Sequence, residues 1–126
     1  MVEESQELAG TTLIVDDDPQ LLWSMAEFLK LFKYRTLTAN NGEKAIEIFL
    51  QHKDEINLIV LDINMPVMDG VAAYLKIREE SPDVTVLMMS GEDTARWSKL
   101  GEKRPELILK PFKMLDFVNK IKEITS

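Results

Sequence analysis

The residues of this chain that could do chemistry are mostly acidic, and one lysine accompanies them. Three consecutive aspartates, Asp16, Asp17 and Asp18, follow the apolar run Thr12 to Val15. Asp62 follows Leu58 to Leu61, Ser90 follows Val84 to Met89, and Lys110 follows Leu107 to Leu109. Carboxylates gathered in one crevice repel and raise one another's pKa unless a cation intervenes. A hard divalent ion held by oxygens relieves that repulsion. Mg²⁺ suits a site of two or three carboxylates with positions left open for water and phosphate oxygens. A lysine adds a mobile point charge and a serine a hydroxyl donor. Carboxylate, metal, ammonium and hydroxyl are together the parts of a phosphoryl-transfer site. Asp62 is the best nucleophile among them, because it ends the most apolar run, and the turn from Asn64 to Gly70 behind it can offer a backbone carbonyl to the metal.

These residues meet only if the elements that carry them end at one edge. The four runs lack the period-two alternation of a half-exposed strand, as expected of strands buried on both faces of a parallel sheet. Arg35 to Thr38 is a weaker run with polar residues and belongs near an edge. Between the runs apolar residues recur at helical spacing: Leu21, Met25, Phe28 and Phe32; Ala45, Ile46 and Phe49; Ala73, Tyr74 and Ile77; Met114, Phe117, Val118, Ile121 and Ile124. Asp18-Pro19 offers a helix cap with proline at the first helical position, Asn40 with Glu43 resembles a capping box, and Asp69-Gly70 can open the third helix. Alternating strand and helix imply an α/β domain with a flavodoxin-like, doubly wound five-stranded parallel sheet in the order 2-1-3-4-5 and five helices on both faces. Ligands in such sheets sit beyond the carboxyl ends of the strands, and this order brings the first and third together at the switch point.

Composition narrows the function. The chain of 126 residues is 45% apolar and 29% charged, enough for one domain with a real core. A formal charge of −7 repels phosphate backbones and anionic headgroups, so neither direct nucleic-acid binding nor a membrane surface is expected. With no cysteine there is no disulfide framework or thiolate metal site, which fits the cytoplasm. No apolar run approaches the roughly 20 residues of a membrane span. Residues 1–10 read as a flexible leader and 11–126 as the domain.

The pieces LIVDDDP, LIVLDINMPVMDG, VLMMSGED and LILKPF occur in that order from about Thr12 to Thr125. In this the chain resembles the receiver domains of two-component response regulators. The resemblance implies that Asp62 accepts a phosphoryl group from a histidine kinase or phosphotransfer protein, with Mg²⁺ as cofactor. It makes Asp17 a direct metal ligand, with Asp62 and the Asn64 carbonyl beside it and Asp16 acting through water. It gives Ser90 and Lys110 to the phosphoryl group and puts a cis peptide before Pro111. Glu92, Leu107 and Pro111 fall at positions tied to switching and output, and the receiver of the signal is a downstream protein or an attached output or kinase module.

Plainer roles stand beside these. Asp18 before Pro19 is a cap rather than a ligand, Ser90 could cap a helix at Ser90-Gly91-Glu92-Asp93, and Asp69 most simply caps the third helix. His52 lies in a polar stretch and reads as a surface residue, Met65, Met68, Met88 and Met89 as packing, and Trp23 and Trp97 carry no binding signature. Two features depart from the family pattern. Leu107 replaces an aromatic residue, and the 19 residues between Ser90 and Lys110 are fewer than usual, so the fourth helix is expected to be short or irregular and the usual dimerising face is in doubt. Rival readings fare worse. A dehalogenase-type phosphatase wants a second aspartate where Asn64 stands, a flavodoxin's phosphate loop would not tolerate three aspartates, and no GxxxxGK[ST] loop occurs. A phosphorylation-independent interaction module would have no use for the complete acceptor set.

Overall fold

The computed structural model of the protein describes residues 10–91 and 94–125. Five strands form one parallel sheet: β1 (Thr11–Val15), β2 (Arg35–Ala39), β3 (Ile56–Asp62), β4 (Thr85–Ser90) and β5 (Glu106–Leu109), in the order β2-β1-β3-β4-β5. The helices between and after them are α1 (Pro19–Leu31), α2 (Gly42–Gln51), α3 (Gly70–Glu80), a four-residue α4 (Ala95–Ser98) and α5 (Met114–Thr125), with a 3₁₀ turn at Gly101–Lys103.

The unbroken apolar runs are explained by what lies on each face. Along β3, Ile59 and Leu61 join Leu13, Val15, Val86 and Met88 in a core that α2 and α3 cover with Ala45, Phe49, Ala73, Tyr74 and Ile77. Leu58 and Val60 point the other way and join Ile14, Leu87 and Met89 beneath Met25, Leu29, Phe117, Val118 and Ile121 of α1 and α5. Each fully buried Leu, Ile or Phe contributes about 1.5–3 kcal/mol, so the central strands are held from both sides. β2 stands at the edge and is mostly exposed or half-buried, as its polar residues require.

Helix starts follow local chemistry. Asp18 accepts from the N–H groups of Gln20 and Leu21 ahead of Pro19, and Asp69 accepts from Ala72, as expected. The cap of α2 is Asn41 rather than Asn40, its side chain accepting from the N–H of Lys44 at 2.9 Å. The shift puts Gly42 at the first helical position, where a Cβ would come within 2.7 Å of the Met68 carbonyl oxygen. Only glycine lets α2 start that close to the loop after β3. β3 and β4 each run one residue further than expected, so Asp62 and Ser90 are the last residues of their strands. Ser90 does not cap α4, which begins later, after Thr94, and has no side-chain cap. Residues 1–9 of the expected leader, and Glu92, lie outside the described residues.

Candidate functional site

The register of the sheet assembles the site. Val15 pairs with Leu61 across β1 and β3, which sets Asp16 and Asp62 side by side where the chain turns to opposite faces. Ser90 pairs with Leu109 across β4 and β5, and the N–H of Lys110 donates to the Ser90 carbonyl at 2.7 Å. Strand ends thus deliver Asp16, Asp17, Asp62, Ser90 and Lys110 to one edge, the carboxyl edge on which the sequence placed them.

Asp16, Asp62 and Ser90 are buried, and Asp17 is exposed. One oxygen from each of Asp16, Asp17 and Asp62 lies within 4.8 Å of the others. The Lys110 ammonium donates to Oδ2 of Asp16 at 2.9 Å and stands 3.3 Å from Oδ2 of Asp62. The other oxygen of Asp16 accepts from the Asp18 N–H at 2.9 Å, so both of its oxygens are engaged.

The electrostatics follow. Burial, then the neighbouring Asp16 charge, push the Asp62 carboxyl up to about 6, against the opposing pull of Lys110 and of the Asn64 N–H that donates to it. Burial would lower the Lys110 pKa, but its bond to Asp16 and the charges of both aspartates outweigh that and hold it above the usual lysine value. An acidic pocket with one ammonium among three carboxylates is short of positive charge. An oxygen-binding divalent cation fits such a donor set.

The loop after Asp62 is tightly built. The Gly70 N–H donates to the Ile63 carbonyl at 2.8 Å, and a Cβ on Gly70 would fall 2.2 Å from the Asp62 carbonyl oxygen. Asn64 is exposed at the rim of this loop. Leu107 is half-buried and packs on the core under α2 and α3, and the Lys110–Pro111 peptide is cis.

A model of the response regulator receiver domain matches residues 12–122 of the chain. The chain belongs to the response regulator receiver domain family. The receiver domain is 32% identical over 114 residues to the transcriptional regulatory protein PrrA of Mycobacterium tuberculosis, covering 89% of this chain and 48% of that protein. It is 38% identical over 86 residues to the autoinducer 1 sensor kinase/phosphatase LuxN of Vibrio harveyi, covering 68% of this chain and 10% of LuxN. The receiver domain thus spans about half of PrrA and a small part of LuxN. Among solved structures it is similar to the response regulator TrrA of Thermotoga maritima in two complexes. One holds Mg²⁺-BeF, with a TM-score of 0.77 and 25% identity over 91% of this chain and 98% of that one. The other holds the histidine kinase ThkA, with a TM-score of 0.81 and 27% identity over 93% of this chain and 99% of that one.

Four contacts of the receiver domain carried no signal in the sequence. Arg96 on α4 forms an ion pair with Asp69. Trp97 donates from Nε1 to the Pro105 carbonyl at 2.7 Å, with the Arg104 guanidinium over its ring. The Tyr74 hydroxyl donates to the Lys103 carbonyl at 2.6 Å. Their partners are brought together by loop paths that no periodicity encodes.

Proposed function

We propose that residues 11–126 form a phosphoacceptor module in which Asp62 takes a phosphoryl group from the phosphohistidine of a kinase or phosphotransfer protein. The observation that carries this reading is the buried Asp16–Lys110–Asp62 arrangement, with Asp17 close by and Ser90 on the next strand. An Asp62 oxygen bonds to phosphorus as the donor's P–N bond breaks, and the electron pair leaves on the imidazole. Lys110, held between Asp16 and Asp62, can swing to the new phosphoryl oxygens, and the Ser90 hydroxyl supplies a second donor. Asp16, Asp17, Asp62 and the Asn64 carbonyl would hold Mg²⁺. When bound, the ion supplies positive charge against the phosphoryl oxygens and the crowded carboxylates. No separate substrate is needed, and the label is a mixed anhydride on the protein itself.

The complexes of TrrA with ThkA and with Mg²⁺-BeF support a kinase donor and a magnesium site of this kind. A protein donor is also in keeping with the surface. Trp23, Phe28, Leu31 and Met114 line an apolar depression along α1, where Trp23 is 65% exposed. The net charge of −7 argues against direct nucleic-acid contact by this segment. Among the described residues no helix is long and apolar enough to cross a membrane. The reading places the module in the cytoplasm, acting on a protein target or an attached output or kinase module.

Incubation with acetyl phosphate and Mg²⁺ tests the assignment. The intact mass is expected to rise by about 80 Da, one phosphate, and the label to be lost in hydroxylamine. The same gain in Asp62→Ala would place the acceptor elsewhere.

A further inference from the structure

The short α4 contains no buried residue and no side-chain cap, and a Cβ at Gly91 before it would meet nothing within 4 Å. Four residues are too few to hold a helix by its own hydrogen bonds, so its position depends on what its side chains reach. Among the described residues they reach in two directions. Trp97 bonds to Pro105 at the start of β5, and Arg96 pairs with Oδ2 of Asp69. Asp69 is already committed: its Oδ1 accepts from the Ala72 N–H at 3.0 Å and caps α3. It also closes the loop that starts at Asp62, next to Gly70, whose backbone lies against the Asp62 carbonyl. Arg96 therefore ties the element that follows Ser90 to the loop that carries Asp62.

We propose that the Asp69–Arg96 ion pair is a latch that holds α4 in its resting position and so limits how readily Asp62 is phosphorylated, Arg96 acting as a positioning residue. The inference rests on the reading of Asp62 as acceptor. A phosphoryl group on Asp62 draws Ser90 toward it, and α4, the next helix along the chain, is the element this movement displaces. Arg96, fixed to the cap of α3, opposes that movement. A contact made only in the resting state lowers the population of the receptive one, and its loss favours phosphorylation by the same factor. Both side chains are partly exposed, so the factor is modest, about two- to five-fold for an ion pair of this kind.

Two variants separate the latch from a structural role. Arg96→Gln removes the cation. Asp69→Asn removes the anion while leaving a residue that caps helices well. Each is compared with the parent in initial labelling rate with acetyl phosphate and Mg²⁺, and in Trp97 emission with Trp23→Phe as common background. Both variants are expected to label about two to five times faster, and their emission before labelling should move toward that of the labelled parent. High salt should narrow the difference by screening the parent's pair. Variants that label at the parent's rate or more slowly, with unchanged emission, overturn the latch even if they melt lower. A parent that takes no label overturns the acceptor reading itself, and the latch with it.

Discussion

Lys110 is held closer to Asp16 than to Asp62, at 2.9 Å against 3.3 Å. Asp16, buried in the site, has one oxygen on this ammonium and the other on the Asp18 N–H. Asp62, buried beside it, shares the same ammonium and accepts from the Asn64 N–H. Burial and the Asp16 charge disfavour the ionised form of Asp62 by more than Lys110 and the Asn64 N–H offset.

That imbalance predicts a pH dependence. The Asp62 carboxyl titrates at about 6 in the folded protein, against 3.8 for an unperturbed aspartate. Between these values the folded state binds more protons than the unfolded one, so stability falls as pH rises through the window and the full cost is present above it. In metal-free buffer Asp62→Asn is expected to be more stable than the parent at pH 7.5, by on the order of 2 kcal/mol. The gain should shrink as the pH falls below about 6 and vanish near 4. Urea titrations at several pH values check this; a gain that stays constant with pH would show that Asp62 does not carry the raised pKa.

Metal binding should act on the same site. Saturating Mg²⁺, at about a hundred times its Kd, is expected to stabilise the parent by about 2.7 kcal/mol, because the unfolded chain offers no such site. Asp17→Asn removes an exposed carboxylate from the cluster, so it should melt no lower than the parent without metal and gain less from Mg²⁺. An undiminished Mg²⁺ shift in Asp17→Asn, measured by calorimetry, would remove Asp17 from the metal site.

The legible part of this site is the part that a parallel sheet imposes. Once four apolar runs are strands with both faces covered, the residues at their carboxyl ends must converge, which is why Asp16, Asp62, Ser90 and Lys110 could be named from their neighbours alone. What depends on the path of a loop was not legible. Asn40 and Asn41 are equivalent as sequence signals, and the choice between them is made by Gly42 closing on Met68, a contact with a distant loop. The pairing of Asp69 with Arg96 spans 27 positions and depends on where a four-residue helix hangs.

The loop after β3 makes a further test. At Gly70 a Cβ would meet the Asp62 carbonyl oxygen at 2.2 Å and the Ile63 Cα at 2.7 Å, all backbone with nowhere to retreat. Gly70→Ala is expected to destabilise the protein by about 1–3 kcal/mol or more and to slow labelling of Asp62, since relief of the clash must move the strand end that carries it. Unchanged stability in denaturant and an unchanged labelling rate would mean that the loop has slack.

How the signal leaves the site turns on Leu107 and Trp97. An aromatic residue, usual in the family at the position of Leu107, can move inward when Ser90 shifts. Leu107 is instead fixed by its contacts with the core under α2 and α3. The nearby ring is Trp97, bound to the Pro105 carbonyl and stacked under Arg104 at the entrance to β5. A phosphoryl group adds about −1.5 to −2 charge at Asp62, and Ser90, drawn toward it, is the residue from which the chain runs on to α4. Phosphorylation is therefore expected to alter the environment of Trp97, seen as a shift in emission in a Trp23→Phe background, while the protein stays monomeric in sedimentation. A monomer-to-dimer transition with Trp97 emission unchanged would show that the signal leaves through the ordinary dimerising face and that Leu107 is no obstacle to it.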